Sequence, residues 1–265
     1  MTVFKIETIK FSKNSEVSFC PTRGGLVTSL KLKGKEILYF DEETFNSGES
    51  SIRGGIPILF PNAGELKENT LYPNLKRHGF ARDLEWASLV GVDQFTETLS
   101  ANQSTKDVYP YNFRLSISGK FEENNSFTLT QEVENKEIGM SLPVAMGLHP
   151  YIKVKNEDKK NIKFNFLGGS EISEKFDIWA NGGTVIIDNP KLKEPNAEIK
   201  ISIPLLGEML FDISKEYQKI WVWSLPGADF ICIEPMMSGE NGLIDNPILV
   251  KERNTIRAFI RIILI

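Results

Sequence analysis

Short segments in which apolar and polar residues alternate recur along this chain, and they constrain its fold more than any other feature. Phe113-Arg-Leu-Ser-Ile-Ser, Phe127-Thr-Leu-Thr, Ile162-Lys-Phe-Asn-Phe, Ile199-Lys-Ile-Ser-Ile and Lys219-Ile-Trp-Val-Trp all read this way. Successive side chains of an extended strand point to opposite faces. A period of two therefore puts one face on a core and the other toward solvent or a second layer. Turn-forming clusters separate the runs at Glu122-Glu-Asn-Asn-Ser, Asn181-Gly-Gly and Leu225-Pro-Gly-Ala-Asp. No long stretch carries a 3.6-residue period, and only a short helical turn is expected, around Glu208 to Gln218. Many short strands at near-regular spacing predict an all-β chain, a large antiparallel β-sandwich with few short helices.

Composition sets the outer bounds. With 265 residues, 41% hydrophobic and 25% charged, the chain can bury a real core, and one domain over residues 1–265 is expected. A net charge of −4 lacks the basic footprint of a nucleic-acid binder. Cys20 and Cys232 are far apart and lack metal-type spacing, so two buried thiols are expected, with no disulfide framework. The first ten residues mix charges into apolar positions, unlike a secretory signal. The apolar end, Ala258-Phe-Ile-Arg-Ile-Ile-Leu-Ile, is too short to span a bilayer and reads as a closing strand. A cytoplasmic monomer without membrane or nucleic-acid partners is the expectation. The charged run Lys155 to Lys160 reads as a solvated loop.

Two segments break the alternation, residues 51–86 and 234–247, both rich in glycine, proline or turn formers. Long irregular segments within a compact fold usually carry function. The only two histidines each stand in a short, distinctive phrase: His78 in Arg77-His-Gly-Phe-Ala-Arg82, within the first of these segments, and His149 in Gly147-Leu-His-Pro-Tyr151. Histidine exchanges protons near neutrality. Arg77 and Arg82 form a local positive patch that would depress the His78 pKa and attract an anion or electron-rich oxygens. The bland alternative is a core-packed histidine beside solvated arginines.

His149 and Glu234 each precede a proline, which favours extended backbone and aims each side chain from a strand end. Glu234 alone could equally close a strand through an ion pair. Arg53-Gly-Gly offers a guanidinium fork beside flexible backbone, although Arg23-Gly-Gly shows that such a triplet also serves as an ordinary turn. Asp177, among aromatics, suits either sugar hydroxyls or a turn. Of the four tryptophans, Trp221 and Trp223 fall on one strand face.

Read together, Arg53-Gly-Gly-Ile-Pro, His78-Gly-Phe-Ala-Arg, Gly147-Leu-His-Pro-Tyr and Cys232-Ile-Glu-Pro occur in an order that resembles the aldose 1-epimerase (galactose mutarotase-like) superfamily. The hexose-6-phosphate mutarotase branch is the most similar. The resemblance covers roughly residues 15–262 and implies a large antiparallel β-sandwich with a sugar site on a concave face. It implies His149 as general acid and Glu234 as general base, ionised as a pair when substrate is bound. His78, Arg53, Arg82 and Asp177 would bind sugar or its 6-phosphate. Arg77 replaces a residue that is often glutamine in similar proteins, which could strengthen anion binding. The implied reaction interconverts the anomers of a hexose or hexose 6-phosphate, with neither cofactor nor metal. A non-catalytic sugar-binding or sugar-sensing protein is the alternative. A metal-dependent cupin-like enzyme would need several histidines for one ion, and two are thin support.

Overall fold

The alternating segments pair as antiparallel strands. The computed structural model describes residues 4–47, 52–68, 70–122 and 126–265. Eight strands form the largest sheet, in the order Lys163–Asn165, Ile199–Ile203, Gly207–Ile213, Thr255–Leu264, Ser126–Asn135, Phe113–Glu122, Gln94–Ser100 and Ala87–Val90. A six-stranded sheet runs Val185–Asp188, Lys219–Trp223, Phe230–Met236, Gly147–Leu148 and Ile58–Leu59, with Tyr151–Lys153 also paired to Phe230–Met236. Smaller four-stranded and two-stranded sheets complete the β structure. The all-β sandwich expected from the sequence is the observed fold.

Side-chain parity decides what each face of the six-stranded sheet does. Ile220, Val222, Ile231 and Ile233 join Leu115, Ile117, Ile260 and Ile262 of the eight-stranded sheet in one buried core. Burying each such side chain is worth roughly 1.5–3 kcal/mol. Their neighbours in sequence, Trp221, Trp223, Cys232 and Glu234, therefore point to the opposite face. The register places Trp221 opposite Glu234 and Trp223 opposite Cys232, with Tyr151 opposite Cys232 on the other side. A slip of one residue would send Glu234 into the aliphatic core and Ile233 out of it. The hydrophobic pattern thus fixes the face on which polar chemistry collects.

Four expectations need correction. The stretch around Glu208 is a strand, Gly207–Ile213, and not a helical turn. Its outward Leu210 pairs with Ile263 of the neighbouring strand, and that extra apolar residue blurs the alternation. Glu234 lies within Phe230–Met236 and not at a strand end or in an irregular segment. The run Lys155 to Lys160 forms most of a short 3-10 helix, Asn156–Asn161, and Lys159 is buried there. Its ammonium donates to Leu225 O at 2.7 Å and Asn156 Oδ1 at 3.1 Å. Arg23 is buried with its guanidinium over the Phe4 ring, so its triplet is structural as expected but not a surface turn.

Residues 52–86 do hold little regular structure, chiefly Ile58–Leu59 and the turn Ala81–Asp83. Residues 51, 69, 123–125 and 1–3, on which parts of the loop, turn and leader readings fall, lie outside the described residues. Both cysteines are buried free thiols. Among the described residues, no helix is long and apolar enough to cross a membrane.

Candidate active site

The open face of the six-stranded sheet carries a cavity of about 250 Å³. Glu234 and His149 lie in its depth, 2% and 7% exposed. His149 Nε2 is 3.5 Å from Glu234 Oε1. That spacing is at the outer limit of a hydrogen bond, as acid–base pairs often are before substrate arrives.

Strand ends and aromatic packing hold the imidazole. The His149 N–H donates to Pro57 O at 3.1 Å, and Tyr151 N–H donates to Gly55 O at 2.9 Å. The His149 ring stacks on Tyr151, with centroids 4.7 Å apart and planes 9° apart, and meets Trp223 edge-on at 5.9 Å. Offset and edge contacts of this kind each add about 0.5–1.5 kcal/mol and leave the ring little freedom.

His78 enters from a strained turn. Its φ is +67°, unusual for a residue with a side chain, and Gly79 follows at +73°. A Cβ on Gly79 would sit 1.9 Å from Phe60 O, so only glycine fits. The turn is clamped to Gly64: Gly64 N–H donates to His78 Nδ1 at 3.0 Å, and His78 N–H donates to Gly64 O at 2.8 Å. Asn62 Nδ2 donates to the same carbonyl at 2.9 Å. Arg77 Nε also stands 3.3 Å from His78 Nε2. A neutral imidazole accepts at one nitrogen only. The Gly64 amide is fixed by backbone, so Nδ1 is the acceptor and Nε2 carries the proton.

Three arginines reach the cavity. Arg53 and Arg77 are exposed and Arg82 is half-buried. Arg53 is held through its backbone, its N–H donating to Thr44 Oγ1 at 3.1 Å and its carbonyl accepting from Asp41 N–H at 3.0 Å. Arg82 donates to Arg77 O at 3.1 Å. Positive charge thus gathers toward the mouth, and His149 and Glu234 lie below it.

Burial dominates the electrostatics. It pushes the Glu234 carboxyl well above the usual carboxylate range, and Arg77 draws it partly back. Burial, then the charge of Arg82, lowers His149 to about 3. His78 is held well below 6.5 by burial, His149 and the two nearby arginines. The depression expected for His78 is present, although burial is its first cause. Burial thus favours the uncharged form of the His149–Glu234 pair, the reverse of the ionised pair expected with substrate bound.

Of the sequence candidates, Arg53, Arg77, His78, Arg82, His149 and Glu234 line one cavity. Asp177 does not. It sits exposed on the short helix Phe176–Trp179, whose Trp179 packs inward and donates to Ile172 O at 2.9 Å. Two residues along a helix is more than half a turn, so Asp177 faces away from that packing. Trp221 and Trp223 both line the cavity from their shared strand face, whereas Trp86 and Trp179 are core. Tyr151, Thr184, Ile52 and Leu225 also line it. Tyr151 stands inside a phrase already noted, Ile52 within the irregular stretch 51–86 and Leu225 at the head of a turn cluster, whereas Thr184 carries no sequence signal.

An antiparallel sandwich with a polar cavity on one sheet face is the galactose mutarotase-like fold. The chain belongs to the aldose 1-epimerase family, whose profile matches residues 7–184. A solved protein of Synechocystis, Slr1438, is 26% identical, covers 98% of this chain and 96% of its own, and superposes with a TM-score of 0.84. A "galactose mutarotase related enzyme" of Lactobacillus acidophilus shares the fold at 17% identity, with 98% and 97% of the chains covered and a TM-score of 0.76. Among curated proteins, a "putative glucose-6-phosphate 1-epimerase" of Salmonella typhimurium is 29% identical over 153 residues, 55% of this chain and 47% of the relative. One of Cenchrus ciliaris with the same description is 24% identical over 173 residues, 58% and 50% of the two chains. The chain spans about half the length of these curated relatives.

Proposed function

We propose that this protein is a mutarotase that interconverts the α and β anomers of an aldohexose, with a hexose 6-phosphate as the favoured substrate. One observation carries the reading: a histidine and a carboxyl group 3.5 Å apart at the bottom of a sugar-sized cavity. Opening a cyclic hemiacetal needs a base for the C1 hydroxyl proton and an acid for the ring oxygen. Glu234 is the base and His149 the acid. The aldehyde then rotates about C1–C2, and both transfers reverse to close the other face.

The proton count makes burial useful. Opening starts from carboxylate and imidazolium and ends with a carboxylic acid and neutral imidazole, so the pair carries one proton throughout. Substrate hydroxyls bonded to the carboxylate, together with the Arg77 charge, favour the ionised form in the closed-ring complex. The uncharged form that burial favours accompanies the open aldehyde, and the site thereby stabilises the intermediate. His78 donates from Nε2 to a sugar oxygen. Trp221 and Trp223 supply apolar walls for the ring. Arg53, Arg77 and Arg82 at the mouth suit a phosphate held away from the reacting carbon, through paired donors. The names of the curated relatives point the same way.

Polarimetry on freshly dissolved α-glucose, α-galactose and α-glucose 6-phosphate tests this. Accelerated mutarotation, fastest with the phosphate ester, is the expected result. Binding of these sugars without acceleration would overturn the enzyme reading in favour of a sugar-binding protein.

A further inference from the structure

We propose that His149 and Glu234 of the cavity, together with the fully buried Cys232 on the same strand as Glu234, are also an inhibitory site for a thiophilic divalent cation such as Zn²⁺ or Cd²⁺. Ligand-capable atoms of the three side chains all lie within 4.8 Å of one another. Cys232 and Glu234 are two apart on one strand and so share its face, and Cys232 lies opposite both Tyr151 and Trp223 in register.

Ligand chemistry selects the ion. One nitrogen, one sulfur and one oxygen suit zinc or cadmium, whereas magnesium and calcium require oxygen shells. Tetrahedral zinc with these donors sets ligand atoms roughly 3.3–3.6 Å apart. The His149–Glu234 spacing already meets this at 3.5 Å, and the sulfur would have to close its separations, none above 4.8 Å, to that range. The fourth position would open toward the cavity, where water or the sugar's C1 oxygen could stand. Binding breaks the S–H bond of Cys232, forms a metal–thiolate bond, and releases the thiol proton and the pair's proton to solvent. One dication replaces two protons, so the net charge of the cavity is unchanged and the arginines at its mouth do not exclude the ion. Occupancy would sequester both the acid and the base of the proposed reaction. The inhibitory consequence rests on the proposed function; the binding does not.

The test is titration of the full chain with Cd²⁺, following the ultraviolet thiolate-to-cadmium charge-transfer band. A saturable band at one equivalent is expected, reversed by EDTA and retained in Cys20→Ser. Cys232→Ser and Cys232→Ala should both lose it, and each should need at least tenfold more Cd²⁺ for half-inhibition of its own mutarotation. Saturating sugar should shift the wild-type titration to higher Cd²⁺. Absence of the band in folded wild-type protein, or its survival in either Cys232 variant, would overturn the site. The band is read without substrate, so the site and the proposed activity can fail separately.

Discussion

Glu97→Gln should stabilise the protein by an amount that grows with pH. Glu97 lies on Gln94–Ser100, fully buried, and neither carboxyl oxygen has a hydrogen-bond partner among the described residues. A Cβ on Gly25 would meet the Trp86 ring at 3.1 Å and Glu97 Oε2 at 3.3 Å, which locates the carboxyl among close-packed neighbours. Burial, then the charge of Glu7, raises its pKa from 4.5 to about 8. The sign follows from proton binding. Below the unfolded value both states are protonated and nothing is lost. Above it the unfolded chain releases a proton that the folded chain keeps, and stability falls until the pH reaches the folded value. From 4.5 to about 8, at about 1.4 kcal/mol per pH unit, the loss approaches about 5 kcal/mol. Glutamine never ionises and escapes it. Urea unfolding at about pH 5, 6.5 and 8 measures the difference between wild type and variant. A gap that widens by several kcal/mol supports the reasoning; parallel curves would refute it.

Arg53→Ala and Arg82→Ala should each raise KM for glucose 6-phosphate at least tenfold while changing glucose kinetics far less; equal losses on both sugars would show that the guanidinium groups bind hydroxyls or serve structure. His78 should be neutral at pH 6.5 and above, with its Nδ1 nitrogen in the unprotonated ¹⁵N range, and a midpoint near 6.5 by NMR would contradict the clamp by Gly64. Asp177→Asn should leave kcat and KM within about twofold on either sugar, since the exposed residue does not line the cavity; a large KM rise would restore it to the site.

Much of the site was legible because the chemistry sits in compact phrases. His149-Pro-Tyr151 and Glu234-Pro bring the imidazole, the carboxyl group and the stacking ring from two strand segments, and alternation told which face Trp221 and Trp223 share. What the sequence hid has physical causes. Leu210 is apolar on an outward face, so the strand Gly207–Ile213 lost its period. Lys159 looks like a solvated charge because its partner, the Leu225 carbonyl, is 66 positions away. Thr184 lines the cavity through loop placement alone, which no local pattern encodes. The pair's tilt toward the uncharged form was also hidden, because it comes from burial and residue type does not report it.

The account rests on two groups acting as one proton-exchanging unit. Polarimetric rates for wild type, His149→Ala, Glu234→Gln and the double variant, each confirmed folded by circular dichroism, test that directly. Each single change should cost about 10²–10⁴-fold, and the double variant should lose little more than the worse single one. Near-normal turnover by either single variant, or losses that multiply in the double, would show that the two groups do not share the reaction.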